Sequence, residues 1–96
     1  MAKLDVLGVL FGDKYHRRTR NGFPAGVQIC AVCGKVVNER TCSWVHVADG
    51  GASIVTEDEP ISEAGDMSFF PVGRDCLKGL PEWQPFAHKA IPDGGA

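Results

Sequence analysis

The chain lacks any apolar run near the roughly 18 residues that a membrane-spanning helix needs, so no membrane contact is expected of it. Its start, Met1-Ala2-Lys3-Leu4-Asp5, carries no signal-peptide pattern, because Asp5 interrupts any apolar core and no cleavage site follows. A cytoplasmic setting is therefore expected, in which thiols stay reduced. There is no internal repeat and no low-complexity segment, which argues against a solenoid or a tail-like chain. Nor is there a large excess of one charge: ten Lys/Arg face twelve Asp/Glu, for a net charge of −2. The molecule as a whole is thus no polyanion binder by bulk charge. Length is short too, and 96 residues make one domain.

Glycine and proline, by contrast, are plentiful, at 12 and 6 residues, so much of the chain must be turn and loop. A core that small and interrupted is marginal without a staple. A bound metal is the natural staple, since metal-binding free energy is then folding free energy. The four cysteines could instead form two disulfides, but the absence of a secretion signal favours a reduced metal site.

The stretch Cys30-Ala31-Val32-Cys33-Gly34-Lys35 organises the rest. Two thiols three positions apart can point at one ion, with Gly34 free to take the positive φ that closes the turn. Val27, Ile29 and Ala31 alternate with Gln28 and Cys30 as a strand entering this turn, and Lys35-Val36-Val37 leaves it as another. A thioredoxin-like redox pair is disfavoured, because no βαβ pattern surrounds the motif. Half of a tetrahedral site remains to be filled, and the candidates are Cys42, His46, Cys76 and His88.

Upstream, residues 3–11 read as a short strand, with Gly8 arguing against a stable helix. Residues 12–22 read as a polar loop or hairpin. Lys14, Arg17, Arg18 and Arg20 make this loop the candidate nucleic-acid-binding element, with a plain solvated loop as the simpler alternative. Asn21-Gly22 and Pro24 then turn the chain. Charge is uneven: residues 1–50 carry seven Lys/Arg against four Asp/Glu, and residues 51–96 carry three against eight.

Downstream, Thr41 to Ala48 reads as a strand with Cys42, Trp44 and His46 on one face and Ser43, Val45 and Val47 on the other. Asp49-Gly50-Gly51 is a hairpin turn, and Ala52 to Thr56 is the return strand. An acidic loop follows, through Glu57, Asp58, Glu59, Glu63 and Asp66. Met67 to Val72 should lie against the hairpin. Asp75 is the expected cap of a brief helix opening near Cys76, ended by Gly79 and Pro81. Trp83 and Phe86 should cover the core, and residues 91–96 form a frayed tail. The organisation is thus a single domain: an N-terminal strand and basic loop over 1–26, a zinc-binding core over 27–90, and the tail.

The expected ligands are Cys30, Cys33, Cys76 and His46, closing a structural zinc site. His46 is preferred to Cys42, and His88 ranks last. Cys42 and His46 lie about 13 Å apart on a straight strand, so both can hardly reach one ion. A buried imidazole also needs a partner.

A zinc knuckle, a β-hairpin and a cysteine at the start of a helix together resemble a treble-clef zinc finger, over about residues 27–80. The runs Trp44 to Gly51 and Phe70 to Cys76 are also similar to small uncharacterised zinc-binding proteins of bacteriophages and related mobile elements. The resemblance implies a small zinc-stabilised α+β fold more than an activity. The first functional expectation is a non-enzymatic binding module whose partner is a protein, through the acidic loop, or a nucleic acid, through the basic one. The second is an HNH-like nuclease, with His46 as general base and a divalent metal held by His88. A third is an inhibitor whose acidic loop occupies a host protein's nucleic-acid groove.

Overall fold

A computed structural model describes residues 3–22, 26–57 and 65–89. The central element is a four-stranded antiparallel sheet in the order β1-β5-β4-β6. Its strands are β1 (Lys3–Asp5), β4 (Ser43–Ala48), β5 (Ser53–Val55) and β6 (Ser68–Val72). A separate two-stranded ribbon pairs β2 (Gln28–Ile29) with β3 (Val36–Val37). Two short helices, α1 (Asp13–Thr19) and α2 (Arg74–Lys78), complete the fold, and a 3-10 segment spans Pro81–Phe86.

The hairpin β4–β5 forms where the alternation places it. Val45 and Val47 point inward and are fully buried, as are Ile54 and Val55 on the return strand. The connection is a 3-10 turn over Asp49–Gly51 in which all three residues take positive φ. Two glycines make that backbone affordable, since a left-handed residue with a Cβ costs about 1–2 kcal/mol. Phe70, Phe69 and Ser68 pair with Val45, His46 and Val47, so the Met67–Val72 segment does join the hairpin, as the central strand's second neighbour. Trp83 and Phe86 close the core, at 1% and 7% exposure.

Three expectations are corrected. The strand at the N-terminus stops at Asp5, and Val6 and Leu10 then turn into the core, with Leu10 N–H donating to the Val6 carbonyl. The basic segment is not a loop: Asp13–Thr19 is helical, and Tyr15 and Thr19, one turn apart, rest against the domain while the charges face outward. A single half-buried tyrosine is too weak an apolar period to be read in advance. Asp75 does not cap α2. The helix begins one residue earlier, at Arg74, with Gly73 at the N-cap and no side-chain cap bond. The acidic positions Asp58, Glu59 and Glu63, the Pro24 turn and the tail over 91–96 lie outside the described residues. Among the described residues, no helix is long and apolar enough to cross a membrane.

Gly34 carries the tightest backbone approach in the knuckle. It sits at φ +80, and a Cβ there would stand 3.0 Å from both the Arg18 Cβ and the Tyr15 Cα. The turn around Cys33 is therefore pressed directly on α1, and Arg18 Nη1 donates to the Cys33 carbonyl at 2.7 Å. Gly34→Ala is expected to cost more than the roughly 1–2 kcal/mol of a left-handed alanine, because α1 must also move. Urea denaturation of the metal-loaded protein measures it, with Gly26→Ala as comparison, since that site also has positive φ but open space around it.

Candidate metal centre

The local sequence builds the knuckle as a closed hydrogen-bonded loop. Cys30 N–H donates to the Lys35 carbonyl at 2.8 Å, and Gly34 N–H donates to the Cys30 carbonyl at 2.9 Å. The loop is held to the sheet by Ala31 N–H donating to the Pro71 carbonyl, and to the N-terminal turn by Phe11 N–H donating to the Ala31 carbonyl, both at 2.8 Å. Because β6 leads straight through Gly73 into α2, the same contact delivers Cys76 to the knuckle. The sulfurs of Cys30, Cys33 and Cys76 all lie within 4.8 Å of one another, and the three residues are positioned to hold a metal ion.

The surroundings act differently on the three sulfurs. Cys30 is wholly buried, and the Gly73 N–H donates to its Sγ at 3.2 Å. A Cβ on Gly73 would meet Val37 at 3.2 Å and Cys30 Sγ at 3.8 Å, so glycine lets α2 begin this close to the knuckle. Burial alone would raise the Cys33 thiol. The Lys35 backbone N–H, hydrogen bonds from the Cys76 and Cys30 thiols and the Arg18 charge outweigh it and hold Cys33 below the ordinary thiol range. Cys76 moves the other way, pushed up to about 12 by burial and by the neighbouring Cys33 and Cys30. Without a cation, the cluster keeps a proton on Cys76, and a bound ion would displace it.

His46 does not stand among the three thiols that lie within 4.8 Å of one another. The register of β4 places it opposite Phe69 on β6 and Val55 on β5, with its ring 4.7 Å from the Phe69 ring. Its Nε2 is bonded to Asp66 Oδ1 at 2.8 Å. The strand rule that separates Cys42 from His46 holds, and the knuckle lies at the Cys42 end. Cys42 lines the same cleft as Cys33 and Cys76. It is 3% exposed, its thiol turned to the Glu39 carbonyl at 3.8 Å, and burial first, then Cys30 and Glu39, raise it. His88 lies near His46 rather than near the thiols, bridged through its backbone to Trp44.

The cleft over the thiols has a volume of about 660 Å³. Lys14 and Arg18 reach it from one face of α1, with Lys35, Arg74 and Lys78 alongside and Asp75 as the one carboxylate among its described lining residues. Arg17 and Arg20 do not join them. They line a separate hollow with Asp13 and His16. Of the four basic residues singled out in sequence, two therefore face the cleft. Lys35, Arg74 and Lys78 were missed, though each sits two positions from a metal-site cysteine, which is the signal that could have found them.

Cys76→Ser should abolish metal binding at the thiol site, and His46→Ala should leave the thiol-site ion in place. Elemental analysis of the purified variants, with the thiolate-to-cobalt charge-transfer band as a second readout, checks both. Binding must also release protons, since Cys76 starts protonated. Affinity therefore falls as pH falls, and calorimetry in two buffers of different ionisation enthalpy should show the released protons.

Comparison with known proteins returned no matching family model, no matching curated protein and no matching solved structure, so the functional reading rests on this geometry.

Proposed function

We propose that the chain is a zinc-stabilised module that binds nucleic acid through the basic cleft beside its thiol cluster. The cation is taken as zinc because a cluster of thiolates held by backbone N–H groups suits a soft-accepting, redox-inert ion in a tetrahedral site. Cys30, Cys33 and Cys76 supply three ligands. Cys42, swinging off the Glu39 carbonyl, supplies the fourth and closes the site, so the ion acts as a staple rather than a catalyst.

The cleft's charge supports the partner. Four thiolates around a divalent ion leave −2, and Asp75 adds −1. Lys14, Arg18, Lys35, Arg74 and Lys78 contribute +5, so a surplus of +2 remains after the metal site is neutralised. Structural neutralisation alone therefore does not account for them. A neighbouring groove shares Arg74 and Lys78 with the cleft and adds Arg40 and Lys89, which lengthens the basic track. A track of cations with little opposing charge among the described residues suits a polyanionic strand. Among the described residues, the lining of the cleft and its neighbouring groove holds Asp75 against seven Lys and Arg side chains.

Fluorescence anisotropy with labelled single-stranded and duplex probes tests this. Binding should weaken with salt, each phosphate contact adding about 0.9 to the log–log slope on duplex DNA. Arg74→Ala with Lys78→Ala should lower that slope by roughly 1–2 and weaken both probes. Arg17→Ala with Arg20→Ala should change it less. No binding at low salt, or equal effects from the two pairs, overturns the reading. Cys42→Ser should lower zinc affinity roughly tenfold or more, and an unchanged affinity removes Cys42 from the ligand set.

A further inference from the structure

A second cluster of metal-ligating groups sits along β4 around His46 and beside Trp44, apart from the three thiols. His46 Nδ1 and His88 Nε2 each lie 3.5 Å from the same oxygen, Glu57 Oε1. Both nitrogens are fully buried, and neither has a hydrogen-bond partner. The His46 tautomer is set from outside. Its Nε2 lies 2.8 Å from Asp66 Oδ1, and that carboxylate is itself fixed by the Ser68 backbone N–H at 2.8 Å. Nε2 therefore donates to Asp66, which leaves Nδ1 as the ring nitrogen turned to Glu57. In a neutral imidazole that nitrogen is an acceptor, as is the oxygen of the partly exposed Glu57 carboxylate 3.5 Å away. Such an arrangement repels unless something positive lies between them.

We infer that His46, His88 and Glu57 form a second divalent-metal site, with Asp66 as the outer carboxylate that orients His46. Asp–His–metal relays of this kind fix the ring and raise its basicity. Two imidazoles and a carboxylate suit a divalent first-row transition ion and leave coordination positions open to water. The separation of 3.5 Å from each nitrogen to the oxygen matches the roughly 3.4 Å edge of a tetrahedral site with bonds of about 2.1 Å. The two nitrogens themselves stand more than 4.8 Å apart, since among the described residues only the three thiols meet within that distance. Binding must draw them together. His88 is the one to move: its side chain is 28% exposed against 14% for His46, and it is tethered by an isolated bridge rather than by a full strand. Phe69 packs against both rings, at 4.7 Å and 5.9 Å, and walls the site. This site shares no ligand with the thiol centre, so it stands or falls independently of the proposed function.

The test is metal counting on the full chain with zinc alone and cobalt alone. Wild type should bind two equivalents. His46→Gln, His88→Gln and Glu57→Gln should each bind one, with the thiolate-to-cobalt band at full intensity, which shows that the fold and the thiol centre are intact. Asp66→Asn should keep the second equivalent but weaken it roughly tenfold or more. Glu82→Gln, away from the cluster, should keep both. A wild type that binds only one equivalent overturns the proposal, and so does a second equivalent unaffected by the three ligand variants. If a variant loses the cobalt band as well, the nitrogen-15 shifts of His46 and His88 in the wild-type protein decide. Zinc must move them, and unmoved shifts overturn the site.

Discussion

Three sulfurs held within 4.8 Å of one another set the constraint to which the rest of this structure answers. Two thiolates at that distance repel by about 3–4 kcal/mol at an effective dielectric of 20. The cluster is therefore intolerable as three anions. A divalent ion reverses the sign of the balance. The protein invests in this arrangement with backbone rather than side chains: Gly73 N–H points at Cys30, and Lys35 N–H supports Cys33. Gly34 and Gly73 let the chain approach where a Cβ would not fit. In a domain this small, an ion that ties the ribbon β2–β3 to α2 joins the two-stranded unit to the four-stranded one.

The same join explains the distribution of charge. Every segment that closes on the sulfurs brings cations with it: Lys14 and Arg18 from α1, Lys35 from the knuckle, Arg74 and Lys78 from α2. Elsewhere on the sheet Asp49 pairs with Lys3, and Glu57 and Asp66 flank His46. The net charge of −2 hides this polarity completely. A near-neutral chain can thus present a basic cleft and a separate cluster of carboxylates and histidines, which is the basis for assigning the two places different ligands.

Much of the architecture was legible in residues 26–57. The alternation of Val45 and Val47 and the Asp49-Gly50-Gly51 turn dictate a hairpin with little competition, and the CxxC followed by glycine dictates a knuckle. The helix over Asp13–Thr19 was not legible, because its contacts with the domain run through the Tyr15 ring on Phe11 and the Tyr15 backbone beside Gly34 rather than through a periodic apolar face. The pairing of β1 with β5 was equally hidden, since three residues of strand contain no statement about their partner.

The sequence by itself determined which side chains could bind a cation, because thiols and imidazoles are few and their local spacing is a matter of turn geometry. It also determined that Cys42 and His46 could not serve the same ion, since a strand advances by a fixed rise per residue. Only the tertiary structure decided which of them faces the knuckle. That choice depends on the direction in which β4 runs past β6, and on the Ala31–Pro71 hydrogen bond that fixes the ribbon at one end of the sheet. Register between distant strands is a long-range property, set by the burial of a whole face at once, and no local pattern encodes it.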